Sequence, residues 1–126
     1  MSQINSFRDL IVFQKAYKLA MDIFEISKTY PKAEKFSLTD QIRRSSRSVT
    51  ANIAESYRKR QYLPYFLSKL SDADMENTET HVWLTFSHKC NYLSNEDYQE
   101  LLDLSEKVGR ILGHMMQHPD KFTQKK

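Results

Sequence analysis

A chain of 126 residues with a net charge of +3, one cysteine, two glycines and three prolines has the length of one domain, able to bury roughly two-thirds of its unfolded surface. So little turn chemistry favours a few long helices over many short strands. A single cysteine excludes an internal disulfide and fits a reducing compartment. No apolar run nears the ~20 residues of a membrane span and the N-terminus lacks a signal-peptide core, so a cytoplasmic location is expected.

The first helix is predicted over about residues 6–30. Ser6 and Asp9 make a capping-box pattern, Ala16, Leu19, Ala20, Ile23 and Phe24 recur at helical spacing, and Pro31 ends the run, because the residue before proline resists the α region. A second helix, about 38–60, starts near Ser37 to Thr39 with Asp40 in its first turn, where a carboxylate suits the helix dipole. Tyr62-Leu63-Pro64 breaks the chain, and Pro64 suits the first position of a third helix, about 64–90. That helix turns Leu67, Leu70, Ala73 and Leu84 inward, with Trp83 at its margin. Ser94 and Asp97 cap a fourth helix, about 95–117, carrying Tyr98, Leu101, Leu102, Val108, Ile111, Leu112 and Met115. Pro119 stops it, residues 119–126 make a basic C-terminal tail, and Lys121 to Lys126 read as frayed. Four helices with short connections predict an all-α fold, an antiparallel up-down-up-down four-helix bundle in one domain over residues 1–126. Gly109 and Gly113, one turn apart, would let the fourth helix approach a neighbour closely.

The second helix has two opposed faces. Ile42, Ser46, Val49, Ile53 and Tyr57 form an inward stripe, while Arg43, Arg44, Arg47 and Arg58 fall on the other side, separated there only by Ala51, Ala54 and Glu55. Guanidiniums on one face with little bulk between them suit phosphate, or else an acidic helix of a neighbour. Lys59 and Arg60 extend the basic run, beside Tyr57, Tyr62, Tyr65 and Phe66. Rings next to arginines can stack unpaired bases, or serve as packing and interface anchors. Charge is segregated along the chain: residues 35–60 hold seven basic and two acidic side chains, and residues 72–106 one basic and nine acidic. That pattern suits a polyanion on the basic side, or a head-to-tail contact between subunits that closes into a ring.

Gln41 to Glu55 resembles the Gln-Ile/Leu-Arg-Arg-Ala-x-x-Ser-Ile-x-x-Asn-Ile-Ala-Glu-Gly signature of the bacterial four helix bundle protein family. That family includes proteins encoded in intervening sequences of large-subunit ribosomal RNA genes and accessory variability determinants of diversity-generating retroelements. Phe7 to Leu10, Val12 to Ala16, Tyr30 to Thr39, and Asn91-Tyr92-Leu93, which is similar to a Gly-Tyr-Leu turn, extend the likeness over roughly residues 7–117. Ser56 stands where the family usually has Gly, and Met75-Glu76 replaces a Gly-Ser, although Glu79 still matches. The resemblance implies the same bundle, assembly as a homopentamer, and structured-RNA or reverse-transcriptase partners.

Catalytic and metal constellations are not found in the sequence. A di-iron bundle needs Glu-x-x-His pairs, but Thr78, Thr85, Ile111 and Met115 stand three residues before His81, His88, His114 and His118. His114 and His118 read as a cap pair at a helix end rather than zinc ligands. Cys90 reads as a buried structural thiol, and Asp72, Asp74, Glu76 and Glu79 as a solvated or subunit-facing acidic helix. The chain is therefore expected to be no enzyme, with no metal, cofactor, small-molecule substrate or membrane partner. The leading expectation is a homo-oligomeric ring that presents Arg43, Arg44, Arg47, Arg58, Lys59 and Arg60 to RNA or DNA. The alternative is a homo-oligomeric protein–protein adaptor whose charged faces serve self-assembly alone.

Overall fold

The apolar stripes fold as four helices, α1 (Ile11–Ile26), α2 (Leu38–Arg58), α3 (Leu63–Lys89) and α4 (Asn95–Gln117), in a computed structural model describing residues 4–123. Each helix packs against the one before and after it, and α1 closes against α4. That is the neighbour pattern of an up-down-up-down bundle. The last three residues of the expected basic tail, 124–126, lie outside the described residues. Its start, Pro119–Lys121, is a short 3-10 turn.

The first helix is shorter than its periodicity predicts. The Ser6–Asp9 capping box forms, but it caps a 3-10 turn over Phe7–Asp9. Leu10 is extended, with ψ 128°, and is buried, so the chain breaks there to sink one leucine before α1 begins. At the other end Tyr30, held at ψ 150° before Pro31, stops helical propagation. Ser37 does not cap α2 with its own side chain. Glu34 does so instead: its carboxylate accepts from Ser37 Oγ at 2.6 Å, the Leu38 N–H at 3.3 Å and Tyr92 Oη at 2.9 Å. These bonds, Ser37's first, hold the Glu34 carboxyl below its usual range.

Two apolar clusters fill the interior. One holds Val12, Ala16, Val49, Ile53, Phe66, Leu70, Val108 and Leu112; the other holds Leu19, Ile23, Ile42, Leu84 and Leu101. Between them in sequence, on three helices, lie buried polar groups. Ser45 and Thr80 share a hydrogen bond of 2.8 Å between α2 and α3. Asn77 on α3 donates to the Ser105 carbonyl at 2.9 Å and accepts from its hydroxyl at 3.1 Å. A Cβ at Gly109 would meet Asn77 Nδ2 at 3.3 Å, whereas one at Gly113 meets nothing within 4 Å. Close approach by α4 is thus a property of Gly109 alone.

The α3–α4 turn is a Schellman motif. The Tyr92 N–H reaches Ser87 O at 2.9 Å, the Asn91 N–H reaches His88 O at 3.0 Å, and Asn91 takes φ 63°. Only glycine adopts this left-handed conformation freely, with asparagine next. Asn91→Ala is expected to cost about 1 kcal/mol and Asn91→Gly to be neutral or stabilising, read by urea denaturation. Equal stability of the two variants would mean the turn does not constrain residue 91.

Candidate nucleic-acid interface

Burial of Ile42, Ser46, Val49, Ile53 and Tyr57 fixes the rotation of α2, and the 100° step then turns Arg44, Arg47 and Arg58 to the outside. All three are exposed. From Arg44 to Arg58 the row runs about 21 Å along the helix axis. The outer positions between Arg47 and Arg58 include Ala51 and Ala54, so a polyanion could come close to the backbone there.

Little in the structure neutralises this row. Arg44 Nη1 lies 3.9 Å from Asp40 Oδ2, with side chains 74% and 47% exposed, a pair worth at most about 1 kcal/mol. Glu55 is taken by Lys69 of α3 at 2.8 Å, a bond that raises the Lys69 pKa above its usual value. Among the described residues Arg47 and Arg58 form no ion pair.

The other three candidate cations are placed differently. Arg43 borders the seam with α1 and is drawn into it. Its Nε donates to Ser27 Oγ at 2.8 Å, Nη2 to the Phe24 carbonyl at 3.4 Å, and the guanidinium sits 4.9 Å over the Phe24 ring. Two of its five N–H groups are thereby used inside the subunit. Arg60 folds back to the end of α2, donating from Nη1 to Tyr57 O at 2.9 Å, with its guanidinium 4.0 Å over the Tyr57 ring. Lys59 is exposed and lies 5.5 Å from the Tyr65 ring centre. Of the four rings near this turn, Tyr57 and Phe66 are core, whereas Tyr62 and Tyr65 are 60% and 62% exposed.

A second surface escaped the sequence reading. On α3, Met75, Val82 and Phe86 are exposed at i, i+7 and i+11, on one strip with Asp72 and Glu79 close by. Glu76, beside them, has its carboxyl held above the usual range by burial first, then by Glu79 and Asp72, with Arg44 pulling the other way. On α1, Tyr17 and Met21 are also exposed, near Phe24, over whose ring Arg47 lies at 5.5 Å as well.

Cys90, expected to be buried, is exposed. It is the C-cap of α3, and it falls off the buried seam that runs through Thr80, Leu84 and Ser87. The His114 and His118 rings lie 4.6 Å apart, with His118 at the C-cap of α4. Among the described residues no group of three or more His, Cys, Asp or Glu could hold a metal ion, and no helix is long and apolar enough to cross a membrane.

An all-helical bundle with an arginine-faced second helix is the class that this fold and surface define. The chain belongs to the 23S rRNA-intervening sequence protein family, which it matches over residues 8–114. It is also similar to a solved structure of a protein of unknown function from the S23 ribosomal protein family of Bacteroides thetaiotaomicron VPI-5482. The two share 26% identity and a TM-score of 0.76, over 85% of this chain and 99% of that one. No curated protein matches the chain.

The departures from the resembled signature now have places in the structure. Ser56 is fully buried and satisfies its hydroxyl by donating to Ile53 O at 2.7 Å. Met75 is on the outside, 68% exposed, and Glu76 is partly buried beside it, so neither residue of that pair enters the core.

Proposed function

We propose that this protein is a non-enzymatic, nucleic-acid-binding accessory protein. In this reading identical subunits form a ring, a pentamer by the family resemblance, and present their α2 faces to structured RNA or RNA/DNA, with a reverse transcriptase as a further partner. The observation that carries it is the outward row Arg44, Arg47 and Arg58, which the subunit leaves almost without carboxylates. Exposed guanidiniums held only by a long ion pair at Arg44 and a ring contact at Arg47 add little to folding, and they recognise phosphate by charge and by their planar fork of donors.

One observation favours the alternative, a homo-oligomeric adaptor without nucleic acid. The exposed Met75, Val82 and Phe86 strip lies beside carboxylates that repel one another, and a cationic apolar surface of another subunit would relieve both. Both readings require an oligomer. They part on polyanion binding. Fluorescence polarisation of a labelled, structured RNA, titrated with protein at several salt concentrations, is expected to show binding that weakens linearly in log salt. Light scattering on the same sample is expected to give a mass of several subunits. A multimer that binds no RNA at low salt would favour the adaptor, and a monomer at micromolar concentration would remove the ring.

A further inference from the structure

The corner between α2 and α3 is one-sided in charge. From Ser56 to Ser71 the sequence has four basic residues, Arg58, Lys59, Arg60 and Lys69, and no acidic one. Of these Lys69 is held by Glu55 and Arg60 by Tyr57, which leaves Arg58 and Lys59 exposed.

At the same corner two tyrosine rings stand out of the fold. Tyr62 and Tyr65 are 60% and 62% exposed, although Tyr57 and Phe66 beside them are buried. Their backbones are fixed: the Tyr62 N–H donates to Lys59 O at 2.9 Å, and the Tyr62 carbonyl accepts from Tyr65 at 2.9 Å and Phe66 at 3.0 Å. The rings meet edge to face, centres 6.4 Å apart at 80°. Such a pair uses one of its four ring faces. Lys59 lies over Tyr65, so Tyr62 keeps a face open to solvent. The backbone ordering cost is thus met in the free protein, and the edge-to-face contact sets the two rings side by side as a platform.

We infer that this corner binds unpaired nucleotides, with a base stacked on Tyr62 or Tyr65 and the flanking phosphates held by Arg58 and Lys59. Two features favour this occupant over an apolar protein surface. The rings carry cations within reach and no carboxylate in the surrounding segment. Paired bases hide their faces inside the helix, so an exposed ring gains most from single-stranded loops and ends. Arg58 belongs both to this corner and to the α2 row, so a strand leaving the platform could continue along the row. The inference rests on the nucleic-acid reading above and narrows it to a substrate with unpaired bases.

The test uses a fluorescein-labelled oligouridylate, the same oligomer with abasic sites, and a blunt RNA duplex. Wild-type protein is expected to bind the oligouridylate more tightly than the abasic version. Tyr62→Ala with Tyr65→Ala should weaken oligouridylate binding roughly tenfold, within the range that base stacking on aromatics contributes, and bring it level with the abasic probe. The salt slope should stay the same, because the phosphate contacts remain. Lys59→Gln should instead lower the slope for all three probes. An unchanged affinity in the double tyrosine variant would overturn the platform while leaving the arginine row standing. A change of subunit number in that variant, seen by light scattering without loss of base preference, would make the tyrosines interface anchors and also overturn it. If wild-type protein binds none of the probes, the nucleic-acid reading itself fails and this one with it.

Discussion

Replacing Arg44, Arg47 and Arg58 together with Gln is expected to weaken RNA binding about a hundredfold at moderate salt, taking roughly 1 kcal/mol for each lost contact. The slope of log K against log salt should fall by roughly two to three units, because each neutralised phosphate contributes about 0.7 to 0.9. Affinity should drop for all sequences alike, since phosphate contacts position a nucleic acid without reading it. The bundle should stay folded, because the three side chains are exposed and the pair that Arg44 makes with Asp40 is long. Arg43→Gln serves as the contrast. Its guanidinium is engaged with Ser27 and Phe24, so it should lower the melting temperature more than it lowers the slope. Polarisation titrations at four salt concentrations, with circular dichroism melts, separate the two effects. An intact triple variant with wild-type affinity and slope would show that the row does not meet phosphate.

The contrast between Arg43 and its neighbours shows where the sequence stops being informative. Spacing placed Arg43, Arg44, Arg47 and Arg58 on one outward face, and three of the four are there. Arg43 lies only 40° from Arg47 on the wheel, and its fate is decided by Ser27 and Phe24, sixteen and nineteen residues earlier. No pattern internal to α2 contains that partner. The exposed rings of Tyr62 and Tyr65 were in view as a cluster with Tyr57 and Phe66, but which two rings enter the core depends on how α2 and α3 pack.

On α3 the obstacle was polarity. Its buried positions are Phe66, Leu70, Ala73, Asn77, Thr80, Leu84 and Ser87, an unbroken alternation of four and three, as in a coiled-coil seam. Three of the seven are polar, so a search for apolar recurrence sees only fragments of the stripe. Once the seam is followed through Asn77, Thr80 and Ser87, Met75, Val82 and Phe86 are left on the outside as apolar side chains without a core to fill. The helix boundaries were easier, since proline, serine and asparagine act locally. The exception was Leu10, whose burial breaks the first helix for a tertiary reason.

The polar seam leads to the second large effect. Asn77→Ala is expected to destabilise the subunit by roughly 2–3 kcal/mol, which combines two lost hydrogen bonds, a small cavity and a stranded Ser105 hydroxyl. That is a large share of the ~5–15 kcal/mol a domain of this kind possesses. Asn77 is 5% exposed and Ser105 fully buried, so water cannot easily replace either partner. Ser105→Ala should cost less, about 1 kcal/mol, because Asn77 keeps its bond to the Ser105 carbonyl, a main-chain group that the substitution retains. The double variant should be less destabilised than the sum of the two, since the 3.1 Å hydroxyl bond can be lost only once. Urea denaturation at one protein concentration, with the oligomeric state checked beside it, gives the three values. Additive losses would mean that Asn77 and Ser105 do not act as a pair. A loss under about 0.5 kcal/mol for Asn77→Ala, the size of an ordinary surface change, would mean that the polar layer does not hold α3 against α4.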